Sequence, residues 1–172
     1  MKKVMWVALA LSLFAIGAQA QQAPAGDASV GYSYFRLGGS NGVNMNGVSG
    51  SLAYNANDWF GVVGDLGFYH ASPAGIGLSN TTYTFGPRFS VRSSSKVVPF
   101  AQALFGGAHL SALGATSNPF AYSMGGGVDM PISSSGKAAL RPQFEYVGLR
   151  SNGSTTNSFR LSVGVVFHLG SR

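Results

Sequence analysis

Hydrophobic side chains recur at every second position over most of this chain. The C-terminal segment is the clearest case. Phe159, Leu161, Val163, Val165, Phe167 and Leu169 alternate with Arg160, Ser162, Gly164, Val166 and His168. A period of two sends alternate side chains to opposite faces of a β-strand. Before it, Leu140, Phe144 and Tyr146 share one face with Pro142, while Arg141, Gln143 and Glu145 share the other. The remaining segments follow the same rule with more glycine, and the least regular is 97–109, where Ala101, Ala103 and Phe105 oppose Gln102 and Gly106. The pattern predicts eight strands, near 28–36, 46–55, 59–69, 80–91, 97–109, 119–130, 137–149 and 158–169.

The chemistry of the two faces decides which one is inside. A soluble sandwich or small soluble barrel turns its apolar face inward and a Lys- and Glu-rich face to water. Here the polar positions are mostly Gly, Ser, Thr and Ala, with about one Asp, Glu, Arg or Gln per strand, and the apolar positions are large and often aromatic. Small residues suit a narrow lumen and bulky aromatics suit a lipid-facing wall. Strands of roughly ten residues also match a tilted bilayer crossing. An open sheet edge in hydrocarbon would leave backbone groups unpaired, so the sheet must close. The fold class expected is therefore all-β: a closed antiparallel eight-stranded up-and-down transmembrane β-barrel.

Connections and aromatics extend this reading. Those at 55–58, 92–96 and 131–136 read as tight turns, and those at 37–45, 70–79, 110–118 and 150–157 read as longer loops. Short periplasmic turns alternating with longer extracellular loops are the usual barrel pattern, with both termini periplasmic for an even strand number. Two aromatic girdles are expected. Tyr54, Trp59, Phe60, Phe89 and Phe167 would form one at the periplasmic end. Tyr34, Phe68, Tyr83, Phe120, Tyr146 and Phe159 would form the other at the outer end.

The N-terminus and the composition fix the compartment. Lys2 and Lys3 precede an apolar run at 4–17, and Ala18-Gln19-Ala20 is a small-x-small cleavage site, so residues 1–20 read as a signal peptide and 21–172 as one barrel domain. Formal charge is +6 for the whole chain and +4 once Lys2 and Lys3 leave. The basic residues are scattered singly, which excludes a nucleic-acid footprint. With no Cys, the chain has no disulfide framework, thiolate zinc site or Cys nucleophile.

A leader ending Ala18-Gln19-Ala20, eight such strands and the closing run from Arg160 to Leu169 together resemble the small outer-membrane β-barrel family. That family includes the membrane domain of outer membrane protein A and the opacity proteins. The segments 46–52, 59–65 and 99–106 are similar to its second, third and fifth strands. The resemblance implies location in the bacterial outer membrane, lipid and lipopolysaccharide as surroundings, barrel-assembly machinery as the insertion partner, and a monomer. It implies no cofactor. Two features depart from the family: Phe167 is followed by five more residues, where such chains usually end on an aromatic, and no peptidoglycan-binding domain follows the last strand.

Candidate chemistry concentrates in the lumen. Asp65, Arg88, Gln102, Arg141, Gln143, Glu145 and Arg160 all fall on the polar face and should converge inside. Arginine forks pair well with carboxylates, and an eight-stranded barrel leaves little more than side-chain room. The reading is a structural polar network, with Glu145 and Arg160 paired across adjacent strands, over a gated pore. No catalytic, cofactor or metal site is assigned. His109-Leu110-Ser111 resembles the His-x-Ser of outer-membrane lipid A deacylases, but Ala112 stands where that motif has Asn, and no acidic residue occurs between Asp65 and Asp129. His70, His109 and His168 lack ligand spacing. Gly125-Gly126-Gly127 lacks the following Lys-Ser/Thr of a phosphate loop and reads as close strand approach. The function expected is a non-enzymatic structural or general surface barrel with at most a small pore. The alternatives are a surface adhesin or ligand-binding barrel acting through the outer loops, or a lipid A-modifying enzyme using His109 and Ser111.

Overall fold

The computed structural model describes residues 24–170 apart from 40–41, 93–96, 114, 134–135 and 152. The leader expected at 1–20 lies outside the described residues, as do parts of the turns expected at 92–96 and 131–136. The strands are β1 (Gly26–Leu37), β2 (Val43–Asn55), β3 (Phe60–Ala71), β4 (Leu78–Ser90), β5 (Val98–Ala112), β6 (Ala115–Ser117), β7 (Phe120–Pro131), β8 (Ala138–Ser151) and β9 (Ser154–Leu169). Neighbours pair antiparallel in the order β4-β3-β2-β1-β9-β8-β7-β5, and β4 pairs with β5 to close the ring. Eight long strands thus form the barrel, and β6 is a short ninth strand hydrogen-bonded to the end of β5.

The seam joins nearly all of β1 to the C-terminal part of β9, from Gly26 opposite Leu169 to Arg36 opposite Phe159. Both ends of the described chain therefore lie at one end of the barrel, called here the terminal end. A strand of 12 residues such as β1 spans about 40 Å at the usual rise. Tilted by roughly 40°, that is close to the ~30 Å of bilayer hydrocarbon.

Alternation is preserved with the apolar set outward. Leu52 and Phe85 are more than 65% exposed, while Arg88, Glu145 and Arg160 are at most 4% exposed. This inverts a soluble protein and fits a lipid solvent. Trp59 stacks on Phe89 at 6.0 Å and Phe60 lies 5.5 Å from Phe89 at the terminal end. At the far end Tyr34 and Phe144 flank Phe159 at 6.2 and 6.3 Å.

The loops depart from the sequence expectation. At the far end β8 continues to Ser151, which pairs with Ser154, so the loop expected at 150–157 is a two-residue hairpin connection. The loops expected at 37–45 and 70–79 shrink to 38–42 and 72–77, and part of the one at 110–118 is a β5–β6 hairpin with Leu113 at φ +51°. The expected short–long alternation is thus absent. Ser, Thr and Asn in these segments read as loop formers, yet Thr155 and Thr156 sit in a ladder opposite Arg150 and Leu149. β-branched Thr fits a pleated strand as well as a loop.

The terminal-end turn between β2 and β3 is held by its own side chain. Asn57 Oδ1 accepts from the backbone N–H groups of Trp59 at 3.0 Å and Phe60 at 2.7 Å, a local bond that favours the turn over an extended strand.

Candidate functional site in the barrel lumen

Inward-facing side chains fill the lumen in tiers. Nearest the terminal end, Asp27 lies directly opposite His168 on the seam. Its carboxylate meets His168 Nδ1 at 2.6 Å and accepts from Asn55 Nδ2 at 3.2 Å. Arg92 Nη2 lies 3.9 Å away, so β1, β2, β9 and the chain leaving β4 meet at one buried carboxylate.

The second tier is an ion pair and a cation sandwiched with an aromatic ring. Arg141 donates through Nε and Nη2 to the two oxygens of Asp129, at 2.6 and 2.7 Å. This is the two-pronged geometry that a guanidinium makes best with a carboxylate. The Phe100 ring lies 4.5 Å from the Arg88 guanidinium carbon and 4.7 Å from that of Arg141, within the range of cation–π attraction.

The third tier is a continuous chain of side chains. Arg88 Nε donates to Gln102 Oε1 at 2.9 Å, and Gln102 Nε2 donates to Glu145 Oε1 at 2.8 Å. Glu145 Oε2 accepts from Arg160 Nε at 2.6 Å and also from Arg160 Nη2. Arg160 Nη1 donates to Asp65 Oδ1 at 2.7 Å and to the Tyr69 hydroxyl at 2.9 Å. Two guanidinium groups and two carboxylates thus balance through one amide relay. Gln143 lines a small cavity with Asp65 and Arg141.

Above this chain the lumen turns apolar. Phe35, Met45, Tyr69, Ala108, Ala121, Val147 and Leu149 form one buried cluster, with Phe35 and Tyr69 rings 4.8 Å apart. Leu37, Val43, Ala71, Leu78 and Leu110 pack against it toward the far rim. The cavity between this plug and Arg160 measures about 10 Å³, and the one beside Gln143 about 20 Å³. Each is room for about one water. Arg88 Nη1 and Nη2, Arg141 Nη1 and both polar atoms of the Asn80 side chain have no hydrogen-bond partner among the described residues.

All of the residues singled out from the sequence face inward. Arg88, Gln102, Glu145, Arg160 and Asp65 join in one chain, whereas Arg141 pairs separately with Asp129. Sequence reasoning left Asp129 out of the network, and it did not pair Asp27 with His168. The signal for Asp129 was its parity, shared with Ser123 and Gly125.

The other candidates do not assemble. β5 extends to Ala112, so His109 and Ser111 share the outward face near the far rim. His109 Nδ1 is engaged with Asn118 Oδ1 at 2.6 Å, and no hydrogen bond joins the imidazole to Ser111. Among the described residues, no three His, Asp or Glu side chains come together to hold a metal ion. The triple glycine is a packing device. A Cβ at Gly125 would lie 2.1 Å from the Phe144 carbonyl oxygen, and one at Gly126 would lie 2.2 Å from that of Phe100.

Comparison with known proteins agrees with this geometry. The family described as outer membrane protein beta-barrel domain matches residues 6–167. No curated protein matches the sequence significantly. Among solved structures, Neisserial surface protein A superposes with a TM-score of 0.72 at 16% identity, covering 87% of this chain and 100% of that one. OprG of Pseudomonas aeruginosa gives 0.61 at 8% identity, covering 89% and 100%. Ail, the attachment invasion locus protein of Yersinia pestis, gives 0.55 at 18% identity, covering 84% and 99%. At such identities the likeness is one of fold. With a family match over nearly the whole chain and a closed barrel turned apolar side out, this protein belongs to the outer membrane protein β-barrel family and is an outer-membrane protein.

Proposed function

We propose that this protein is a sealed, non-enzymatic structural barrel of the outer membrane, working as a monomer with a general surface role. Residues 1–20 act as a cleaved signal peptide in this reading, and the terminal end faces the periplasm. The observation that carries it is the apolar plug around Phe35, Met45 and Leu149 above a charge-balanced network. An ion entering from outside would lose its hydration against hydrocarbon before reaching a polar group. Below the plug, the two cavities beside Arg160 and Gln143 each have room for about one water. The Arg, Asp and Glu residues of the lumen then act as packing and as cross-strand ties.

The non-enzymatic part is supported by His109 being held by Asn118 rather than by Ser111. The adhesin alternative has less support, because the far-end connections are short and mostly small or amide residues, with few of the Trp, Tyr and Arg anchors that dominate binding hot spots. Purified protein inserted into a planar bilayer tests the sealed lumen. It is expected to give no stepwise conductance, and discrete steps at neutral pH would overturn the reading.

A further inference from the structure

We propose that the far end of the barrel is a lid that stands in water above the bilayer. There the strands reverse their sidedness and close round an apolar core, as a soluble barrel does, and the plug is that core. The inference concerns one end of the barrel and holds whichever side of the membrane that end faces.

Strand length is the first observation. β9 has 16 residues, which at the usual rise and a tilt of roughly 40° cover about 40 Å along the barrel axis, or about 10 Å more than bilayer hydrocarbon. β9 and β1 finish level at the terminal end, where Leu169 faces Gly26. The surplus of β9 therefore lies at the far end. Its pairing with β1 stops at Phe159, opposite Arg36, while its pairing with β8 continues to Ser154.

The outward positions change character along the strands. Up to a line through Tyr34, Phe68, Tyr83, Tyr146 and Phe159 they are mostly apolar. Past that line, on the same faces of the same strands, they are Asn44 and Asn46 on β2, His70 on β3, Ser79 on β4, His109 on β5 and Arg150 on β8, all exposed. Tyrosine hydroxyls mark the line. Tyr32 donates to Asn46 Oδ1 at 2.5 Å, Tyr34 to Asn44 Oδ1 at 2.8 Å and Tyr146 to Asn157 Oδ1 at 2.7 Å. A ring on the apolar side with its hydroxyl turned to the polar side is the posture of an aromatic at a membrane surface. Amides, imidazoles and a guanidinium beyond it are costly in hydrocarbon and solvated in water.

The inward positions change at the same height in the opposite sense. Asp65, Arg88, Glu145 and Arg160 lie below, and Phe35, Met45, Ala108, Val147 and Leu149 lie above, packed in one cluster. Burying apolar side chains inside a barrel is favourable where the solvent outside is water, and gains little where it is lipid. Polar outside and apolar inside is the arrangement of a soluble barrel. One strand thus serves two solvents, with the change of sidedness at the tyrosine line. The lid is closed by the hydrophobic effect in water, and a water-borne molecule meets its strand walls as well as its loop tips.

The chain has no Cys, so single-cysteine nitroxide labels report the surroundings of each position in phosphatidylcholine vesicles. Ser79→Cys and His109→Cys read the lid, and Leu66→Cys and Val163→Cys read the wall. The lid labels are expected to collide with a water-soluble nickel chelate, relative to oxygen, several-fold more often than the wall labels. Equal ratios at Ser79 and Leu66 overturn the proposal. Urea unfolding in the same vesicles supplies a second readout. Ser79→Arg should keep the wild-type midpoint to within about 0.3 M, whereas Leu66→Arg should lower it by about 1–2 M. Leu149→Ala, which removes part of the apolar core, should lower it by about 1 M or more. A fall for Ser79→Arg as large as that for Leu66→Arg places the far end in lipid and overturns the proposal, as does an unchanged midpoint for Leu149→Ala. The label comparison decides the matter if an arginine variant does not fold.

Discussion

Replacing Glu145 with Gln removes one charge from the centre of the lumen and nothing from its shape. Glu145 is 0% exposed. One oxygen serves Arg160, with Nε at 2.6 Å, and the other takes Gln102 Nε2 at 2.8 Å and the Ser123 hydroxyl at 3.4 Å. A glutamine amide offers a single acceptor. In either orientation its NH₂ group meets another donor, Arg160 in one and Gln102 in the other. Breaking a buried ion pair by changing one partner costs about 3–5 kcal/mol. Arg160 still reaches Asp65 at 2.7 Å, so the lower bound of about 3 kcal/mol applies. With an m-value of about 2 kcal/mol/M, the urea midpoint should fall by about 1.5 M. The assay is reversible urea unfolding in lipid vesicles, read by tryptophan fluorescence and by the gel mobility of folded and unfolded forms. A cycle with Arg160→Gln should give a coupling of at least ~1.5 kcal/mol. A midpoint within about 0.3 M of wild type, at unchanged m, would refute the idea that these side chains tie the barrel together.

Two further outcomes follow from the same geometry. Leu66→Arg, on the outward face at mid-height and 51% exposed, should cost about 2–4 kcal/mol, while Trp59→Arg in the terminal-end girdle should lose only about 0–1 kcal/mol to the charge itself. Equal charge penalties at both depths in vesicle unfolding would contradict a lipid-facing wall. Gly125→Ala, whose Cβ would come within 2.1 Å of the Phe144 carbonyl oxygen and 2.9 Å of Glu145 Cγ, should lose about 1–3 kcal/mol through strain. Gly64→Ala, which points into open space, should stay within about 0.5 kcal/mol; a reversed order in thermal gel-shift assays would show that strand spacing at Gly125 is adjustable.

The strands and their faces were legible because a period of two is written in single residues. Register needs only parity: once Phe159, Leu161 and Val163 face lipid, Arg160 and Ser162 must face the lumen. That logic found the inward set from Asp65 to Arg160. It could not find pairs formed by closure. Asp27 and His168 lie 141 positions apart and meet only because the first strand hydrogen-bonds to the last. Nor could it find the plug. Phe35, Met45 and Leu149 have lumen parity but apolar chemistry, so in sequence they break an alternation rather than signal a function. The far-end strands were lost for a related reason, since Ser, Thr and Asn serve a loop and an exposed ladder equally well. What distinguishes the two is the neighbour across the ladder, as when Thr155 finds Arg150. The sequence encodes on which side each residue lies, and the ring decides whom it meets. The lumen is therefore polar where facing strands contribute Asp, Glu and Arg at one height, and dry one turn of the pleat higher, where the same faces contribute Phe, Met and Val. In the proposed reading that change of tier separates a sealed barrel from a pore, and it is a property of eight strands taken together.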